Sequence, residues 1–263
     1  MADAHPGLPE FDYIRPGSLA EASAFLAEHA GEARPFMGGT DTFVRMRDGV
    51  WNDRYLVDVK HLDGTSDISF DANDGLTFGA AVTMNALIAA PQVREHYPLL
   101  AQAARSVAAY QLRNRATVGG NICNASPAGD TIGACLAYEG ILLVHGQKGK
   151  REEPLRTFFK GPGKTALAPG DIVTAIRLPI PPKDHVGRYL KLGRNRQSDL
   201  AIVGVTALGY PDGNSPSGFR FRLALAAVAP TPLIPEEAET LLAEGPINDD
   251  TIIRAADAAM NAC

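Results

Sequence analysis

The stretch that most constrains this chain is Ala116-Thr117-Val118-Gly119-Gly120-Asn121-Ile122-Cys123-Asn124-Ala125-Ser126-Pro127-Ala128-Gly129-Asp130-Thr131. It is small, polar and kinked, and it separates an apolar helical pattern at 98–109 from a strand-like run at 141–144. It reads as a loop around a ligand rather than as core. Adjacent glycines let backbone N–H groups crowd a ligand that a Cβ would push away. A concave set of amides suits a phosphate or pyrophosphate. Asn121, Ser126 and Asp130 add acceptors and donors for sugar hydroxyls or ring edges. A shorter version lies upstream, where Pro35-Phe36-Met37-Gly38-Gly39-Thr40-Asp41 passes from an apolar segment into a Gly-Gly-Thr-Asp turn. Strand, amide-rich turn and helix N-terminus in that order form an anion site.

The elements around these turns set the fold class. A strand at 11–14 precedes Ser18-x-x-Glu21, a capping box, and Leu19, Ala22, Phe25, Leu26 and His29 follow at helical spacing. His29 at the helix end reads as a dipole-stabilised surface histidine. Strands at 34–37 and 55–59 flank a helix that Thr40 or Asp41 caps and that runs to Arg47. That alternation predicts a small parallel βαβ layer. Asn73-Asp74-Gly75 marks a hairpin, 83–90 and 98–109 read as helices, and so does 131–138. A strand at 141–144, a charged hairpin tip at 146–153 and a strand at 171–179 follow. Pro179, Pro181 and Pro182 make a stiff connection where a domain boundary falls. Beyond it, 187–193, 201–209 and 219–229 read as an antiparallel sheet, and 236–244 and 250–262 as covering helices. The expectation is an α+β chain in two domains. Residues 1–182 form the first, with a small βαβ lobe at 1–60 and a larger lobe of mixed or antiparallel sheet with helices at 61–182. Residues 183–263 form a three-stranded α+β domain.

Composition removes several function classes. A net charge of -5 gives no basic field for nucleic acid. No apolar run approaches the ~18 residues of a membrane helix, and residues 1–9 lack the hydrophobic region of a secretory signal. Cys123, Cys135 and Cys263 contain no Cys-x-x-Cys pair, so they supply neither an iron–sulfur ligand set nor a zinc site. Reduced thiols in the cytoplasm are the plain reading, and the sequon Asn124-Ala125-Ser126 is then a coincidence. Gly161-Pro162-Gly163-Lys164-Thr165 ends like a P-loop, but Phe158 stands where its first glycine belongs. No acid–base pair, nucleophilic triad or metal cluster is evident, so no catalytic residue and no metal ligand is assigned.

Gly38-Gly39-Thr40-Asp41 together with Thr117-x-Gly-Gly-Asn121, Ser126-Pro127-x-x-Asp130, residues 170–179 and residues 191–203 resembles the FAD-binding medium subunit of molybdenum hydroxylases, the xanthine dehydrogenase and carbon monoxide dehydrogenase family. The resemblance spans nearly the whole chain in order. It implies that Pro35, Phe36, Met37, Gly38, Gly39, Thr40 and Asp41 form one cradle for the FAD pyrophosphate. Thr117, Gly120, Asn121 and Ser126 form the other. Asp130 would serve the ribose or adenosine side, Val173 would lie against the cofactor, and Lys191 would stand near the pyrimidine edge of the flavin. Leu200 would cover the ring and Asp199 tune local charge. The family also implies a large molybdenum–pterin subunit and a small subunit with two [2Fe-2S] clusters, in a dimer of heterotrimers that passes electrons through FAD to NAD, oxygen or a quinone. One branch carries a cysteine-bearing insert that this chain lacks. The family pattern continues past Cys263 with another helix, which makes the last domain short. Two other readings stay open at this point: a self-contained flavin oxidoreductase and a non-catalytic flavin-binding scaffold.

Overall fold

A computed structural model describes residues 7–195 and 198–263. Met1 to Pro6, and Arg196 and Gln197 of the 191–203 stretch, lie outside the described residues. The N-terminal lobe holds β1 (Asp12–Ile14), α1 (Leu19–Glu28), β2 (Ala33–Phe36), α2 (Thr42–Arg47) and β3 (Tyr55–Asp58). Its sheet has the order β1-β3-β2 with both pairs parallel. β3 is central and buried on both faces, as parallel strands usually are. Leu56 packs with Phe36 and Met46, and Val57 with Ala22 and Leu26. Ser18 caps α1 by accepting from Glu21 N at 3.1 Å, while Glu21 reaches one residue further back than a capping box does, to Gly17 N at 2.7 Å. His29 closes the helix with its ring 4.3 Å from Phe25.

The larger lobe begins with the hairpin β4 (Ile68–Asp71) and β5 (Gly75–Gly79), whose turn is held by Asp71 Oδ1 accepting from Asn73 N and Asp74 N. Six helices follow: α3 (Met84–Ala89), α4 (Pro91–His96), α5 (Pro98–Ser106), α6 (Tyr110–Arg113), α7 (Val118–Asn124) and α8 (Ile132–Ala137). Then come β6 (Ile141–Gly146), β7 (Gly149–Pro154), α9 (Leu155–Phe158), the short hairpin β8 (Phe159–Gly161) and β9 (Lys164–Thr165), and β10 (Ile172–Leu178). The main sheet runs β4-β5-β10-β6-β7 and every pair is antiparallel. Leu76, Phe78, Leu99, Leu100, Tyr138, Leu142 and Ile176 fill the core between sheet and helices.

Three sequence expectations change here. Residues 91–96 form a separate helix with Pro91 at its first position, where the missing N–H costs nothing. The helix expected over 98–109 stops at Ser106, and Ala108 turns the chain with φ +44°. The supposed loop at 116–131 contains the helix α7, capped by Thr117, whose Oγ1 accepts from Gly120 N at 2.9 Å. Glycine is a poor helix former, so the sequence alone argued for a loop. Packing overrides that preference, because a Cβ on Gly119 would come within 2.6 Å of Ala80.

The C-terminal part is the antiparallel sheet β11 (Val186–Leu192), β12 (Val203–Pro211) and β13 (Phe219–Ala226), followed by α10 (Glu236–Glu244) and α11 (Asp249–Asn261). Ala238, Leu242, Ala255 and Ala258 of the two helices pack with Phe221 and Leu223 on one face. The other face docks on the larger lobe. Tyr189 N donates to Gln102 Oε1 at 3.0 Å, Arg222 to Ala137 O at 3.0 Å, and Ala227 N to Pro127 O at 2.8 Å. Among the described residues no helix is long and apolar enough to cross a membrane.

The hydroxyl of Tyr97 ties this core together. It accepts from Leu76 N at 3.1 Å and faces the carbonyls of Leu178 and Pro179 at 3.1 and 3.0 Å, with the side chain fully buried. Tyr97→Phe should therefore cost about 1–3 kcal/mol, the penalty for a buried amide left without its partner. Urea unfolding of the two proteins measures it.

Candidate functional site

A cavity of about 680 Å³ opens where the N-terminal lobe meets α7, the start of β10 and the 198–200 segment. That size falls within the roughly 300–1,000 Å³ of cofactor pockets. One close backbone contact and one turn create it. A Cβ on Gly38 would lie 2.2 Å from Arg115 O, so only glycine lets the β2–α2 turn reach the segment that enters α7. Gly39 then turns with φ +78°, which a side chain disfavours. The two glycine turns, distant in sequence, thus become adjacent walls.

The first wall has the chemistry of an anion cradle. Gly38, Gly39, Thr40 and Asp41 line the cavity, and their amides donate to no protein acceptor among the described residues. They also lead into the N-terminus of α2, whose dipole favours negative charge. Asp41 holds the N-cap position without a side-chain cap bond. Desolvation raises its carboxyl pKa and Arg45 opposes the rise. The side chain stays reachable from solvent, so the shift reflects a crowded wall rather than a sealed interior. Pro35 and Met37 also line the cavity, whereas Phe36 is 3 % exposed and points into the core with Met46 and Leu56.

The second wall differs from the sequence expectation. Thr117 and Gly120 line the cavity, but the Gly120 amide is already taken by the Thr117 hydroxyl. Gly119 serves packing alone. The donors left to a ligand come from further along. Asn121 Oδ1 accepts from the Thr131 hydroxyl at 2.8 Å, which fixes its amide and leaves Nδ2 as a donor. Ser126 Oγ accepts weakly from Ala128 N at 3.3 Å. Asn124, also on the wall, has a buried Oδ1 with no partner among the described residues. Such an orphan acceptor fits a wall completed by a polar ligand. Cys123 lies there as well, its thiol pushed up to about 12 by burial and so neutral at ordinary pH.

Val173 lines the cavity at the point where the β10–β6 register shifts. Lys191 is not on the wall. It reaches the site through Asp130, donating to Asp130 Oδ2 at 2.9 Å and to Ser106 O at 3.3 Å. This pairing joins two residues to which the family resemblance assigns separate roles. Asp130, expected on the ribose or adenosine side, and Lys191, expected near the pyrimidine edge of the flavin, have side chains 2.9 Å apart.

Sequence reasoning missed part of the wall. Arg34 stacks 3.6 Å over the Trp51 ring and bonds Asp53 at 2.7 Å, with Arg45 on the same ring at 5.1 Å. Arg34, Arg45 and Trp51 all line the cavity. The signal was there: the chain's one tryptophan lies ten residues past the Gly-Gly-Thr-Asp turn. Val107 and Ala108 also line it, on a turn whose carbonyls are gathered by Arg113. Arg113 therefore shapes the wall from behind without touching the cavity. Asp199 and Leu200 are on the wall too.

Comparison with known proteins agrees with this architecture. Residues 9–181 match the family described as FAD binding domain in molybdopterin dehydrogenase, and residues 188–263 the CO dehydrogenase flavoprotein C-terminal domain. The chain is 35% identical to the xanthine dehydrogenase FAD-binding subunit of Escherichia coli O157:H7, over 91% of this chain and 82% of that protein. It is 31% identical to the carbon monoxide dehydrogenase medium chain of Hydrogenophaga pseudoflava, over 97% of this chain and 88% of the other. A carbon monoxide dehydrogenase structure from that organism superposes with a TM-score of 0.91, covering 97% of this chain and 88% of its counterpart. Quinoline 2-oxidoreductase from Pseudomonas putida 86 gives 0.87 at 26% identity, covering 97% and 87%. With a cavity built from two abutting glycine turns and both of its parts matched along their length, this chain belongs to the FAD-binding medium subunits of the molybdopterin dehydrogenases, the oxidoreductase components related to those of xanthine and carbon monoxide dehydrogenases.

Proposed function

We propose that the cavity holds FAD with its pyrophosphate on the amides of Gly38, Gly39, Thr40 and Asp41, and its flavin end beside Asp130 and Lys191. The observation that carries this reading is the row of four amides with no protein acceptor among the described residues, next to a wall that only Gly38 allows to approach. Thr117, Gly120, Asn121 and Ser126 face it as the second wall, supplying shape and a few donors. Pro35, Met37 and Val173 give the apolar surface, and Phe36 supports the turn from the core. Arg34, Trp51 and Arg45 stand at the N-terminal-lobe end, where a cationic stacking platform suits an adenosine moiety. Lys191 stands at the opposite end behind Asp130, so the flavin end meets their ion pair rather than a lone cation. The neutral Cys123 thiol is consistent with a noncovalent cofactor.

When bound, FAD supplies the redox chemistry that joins single-electron donors to a two-electron acceptor. The chain's own residues bind it, orient it and limit water. On this reading substrate oxidation belongs to a large molybdenum–pterin subunit, and electron delivery to a small subunit with two [2Fe-2S] clusters. The assembly is a cytoplasmic dimer of heterotrimers, with NAD, oxygen or a quinone as acceptor. Resemblance to medium chains of multi-subunit dehydrogenases supports this arrangement.

Three measurements test it. The chain has a single tryptophan, Trp51, on the cavity wall. FAD added to the apo chain should quench its emission in step with the flavin absorbance change. Binding with no change at Trp51 would place the cofactor elsewhere. Gly38→Ala sets a methyl 2.2 Å from Arg115 O, so the FAD Kd should rise about tenfold, equivalent to roughly 1.4 kcal/mol. An unaltered Kd in an absorbance titration removes the pyrophosphate role of this turn. Affinity purification from the native source should co-elute molybdenum and iron, and an eluate without either metal argues for a self-contained flavoprotein.

A further inference from the structure

We infer that Tyr189 is a positioning residue of the flavin site, holding Asp130 as the ionised partner of Lys191 at the cavity wall. The inference rests on the reading of the cavity given above and adds a residue that reading did not need. Asp130 is a wall residue with 7 % of its surface exposed, and both of its oxygens are engaged. Oδ1 accepts from the Tyr189 hydroxyl at 2.6 Å and Oδ2 from Lys191 at 2.9 Å. Both donors come from β11. They are two residues apart and so share a face, while Leu190 between them points outward. Lys191 alone could not saturate the carboxylate, and a buried carboxylate with one bare oxygen gives up its charge readily.

Tyr189 is itself held rigidly. Its backbone N–H is fixed on Gln102, its side chain is buried, and a Cβ on Gly204 of the neighbouring strand would come 2.8 Å from its Oη. Burial, and then the adjacent Asp130 charge, push the phenol's pKa up, so it remains a neutral donor. Desolvation raises the Asp130 carboxyl above its usual range, and the bonds from Tyr189 and Lys191 oppose the rise. Removing the Tyr189 bond therefore moves Asp130 further up. Other titratable groups on the same cavity are Arg34 on β2, Asp41 and Arg45 around α2, Cys123 on α7, Asp171 leading into β10, and Asp199. Among the described residues only Lys191 forms an ion pair with Asp130. On that reading of the cavity the ionised carboxylate faces the flavin end and offsets much of the Lys191 charge. Protonation of Asp130 would remove that offset and expose the flavin to the full cation.

The test uses the FAD-loaded chain. The flavin absorption spectrum is followed across pH in wild type, Tyr189→Phe and Asp130→Asn, together with FAD affinity. Wild type should show one inflection assigned to Asp130, absent in Asp130→Asn. Tyr189→Phe should retain FAD within about threefold in Kd and move the inflection up by about one pH unit, the size expected for one lost hydrogen bond to a carboxylate. Gly204→Ala, which displaces Oη without touching the site, should shift it in the same direction, and it decides the question should Tyr189→Phe fail to fold. An inflection unchanged in the folded variants, or one that persists in Asp130→Asn, overturns the inference while FAD binding stands. A wild-type chain that takes up no FAD overturns the reading of the cavity and this inference together.

Discussion

The contact between Gly38 and the Arg115 carbonyl governs the rest of the structure. It joins the parallel N-terminal lobe to the antiparallel one at a separation no side chain permits. From that contact follow the cavity, the exposure of four amides to it and the entry of the chain into α7. A dinucleotide site needs backbone close to phosphate, since amides act over hydrogen-bond distances only. Here glycine first brings backbone close to backbone. The space left between the two walls is the site.

Much of this was legible in the sequence. Ser18 and Glu21 announced α1, and Asn73-Asp74-Gly75 announced the β4–β5 hairpin, because caps and turns are local chemistry. The first glycine turn was also legible, since apolar strand, glycine pair and N-cap occur in sequence there. The second was misread in form. Thr117 caps a helix whose Gly119 answers to Ala80, a residue with no local sign of its role. The Asp130–Lys191 pair could not be read at all, because 61 residues separate its members. Nor could Tyr189, which in an alternating strand looks like ordinary core. What eluded the sequence is what depends on which surfaces meet.

The C-terminal sheet consequently has a part in the site although most of it lies away from the cavity. Its edge strand β11 contributes Tyr189 and Lys191 to Asp130, and Ala227 binds the Pro127 carbonyl just before that aspartate. The segment 126–130 is therefore held on both sides, by α7 before it and by the sheet across from it. Docking of the sheet and formation of the polar end of the cavity are one event. This gives a physical reason for the two matched regions to occur in a single chain, since neither supplies that end alone.

Burying Asp130 and Lys191 is not obviously favourable for stability. Taking two charges out of water costs several kcal/mol per ion, and a well-packed apolar pair often does as well. Once the pair exists, removing either member costs about 3–5 kcal/mol because its partner is stranded. A pair of this kind is hard to keep for stability and hard to lose piecemeal. Its position at the wall of a cofactor cavity accounts for it better than the core does. It holds a fixed carboxylate against a cation, and on the flavin placement proposed above a bound ring would meet an electrostatic environment set by Tyr189, Lys191 and Ser106 rather than by mobile water.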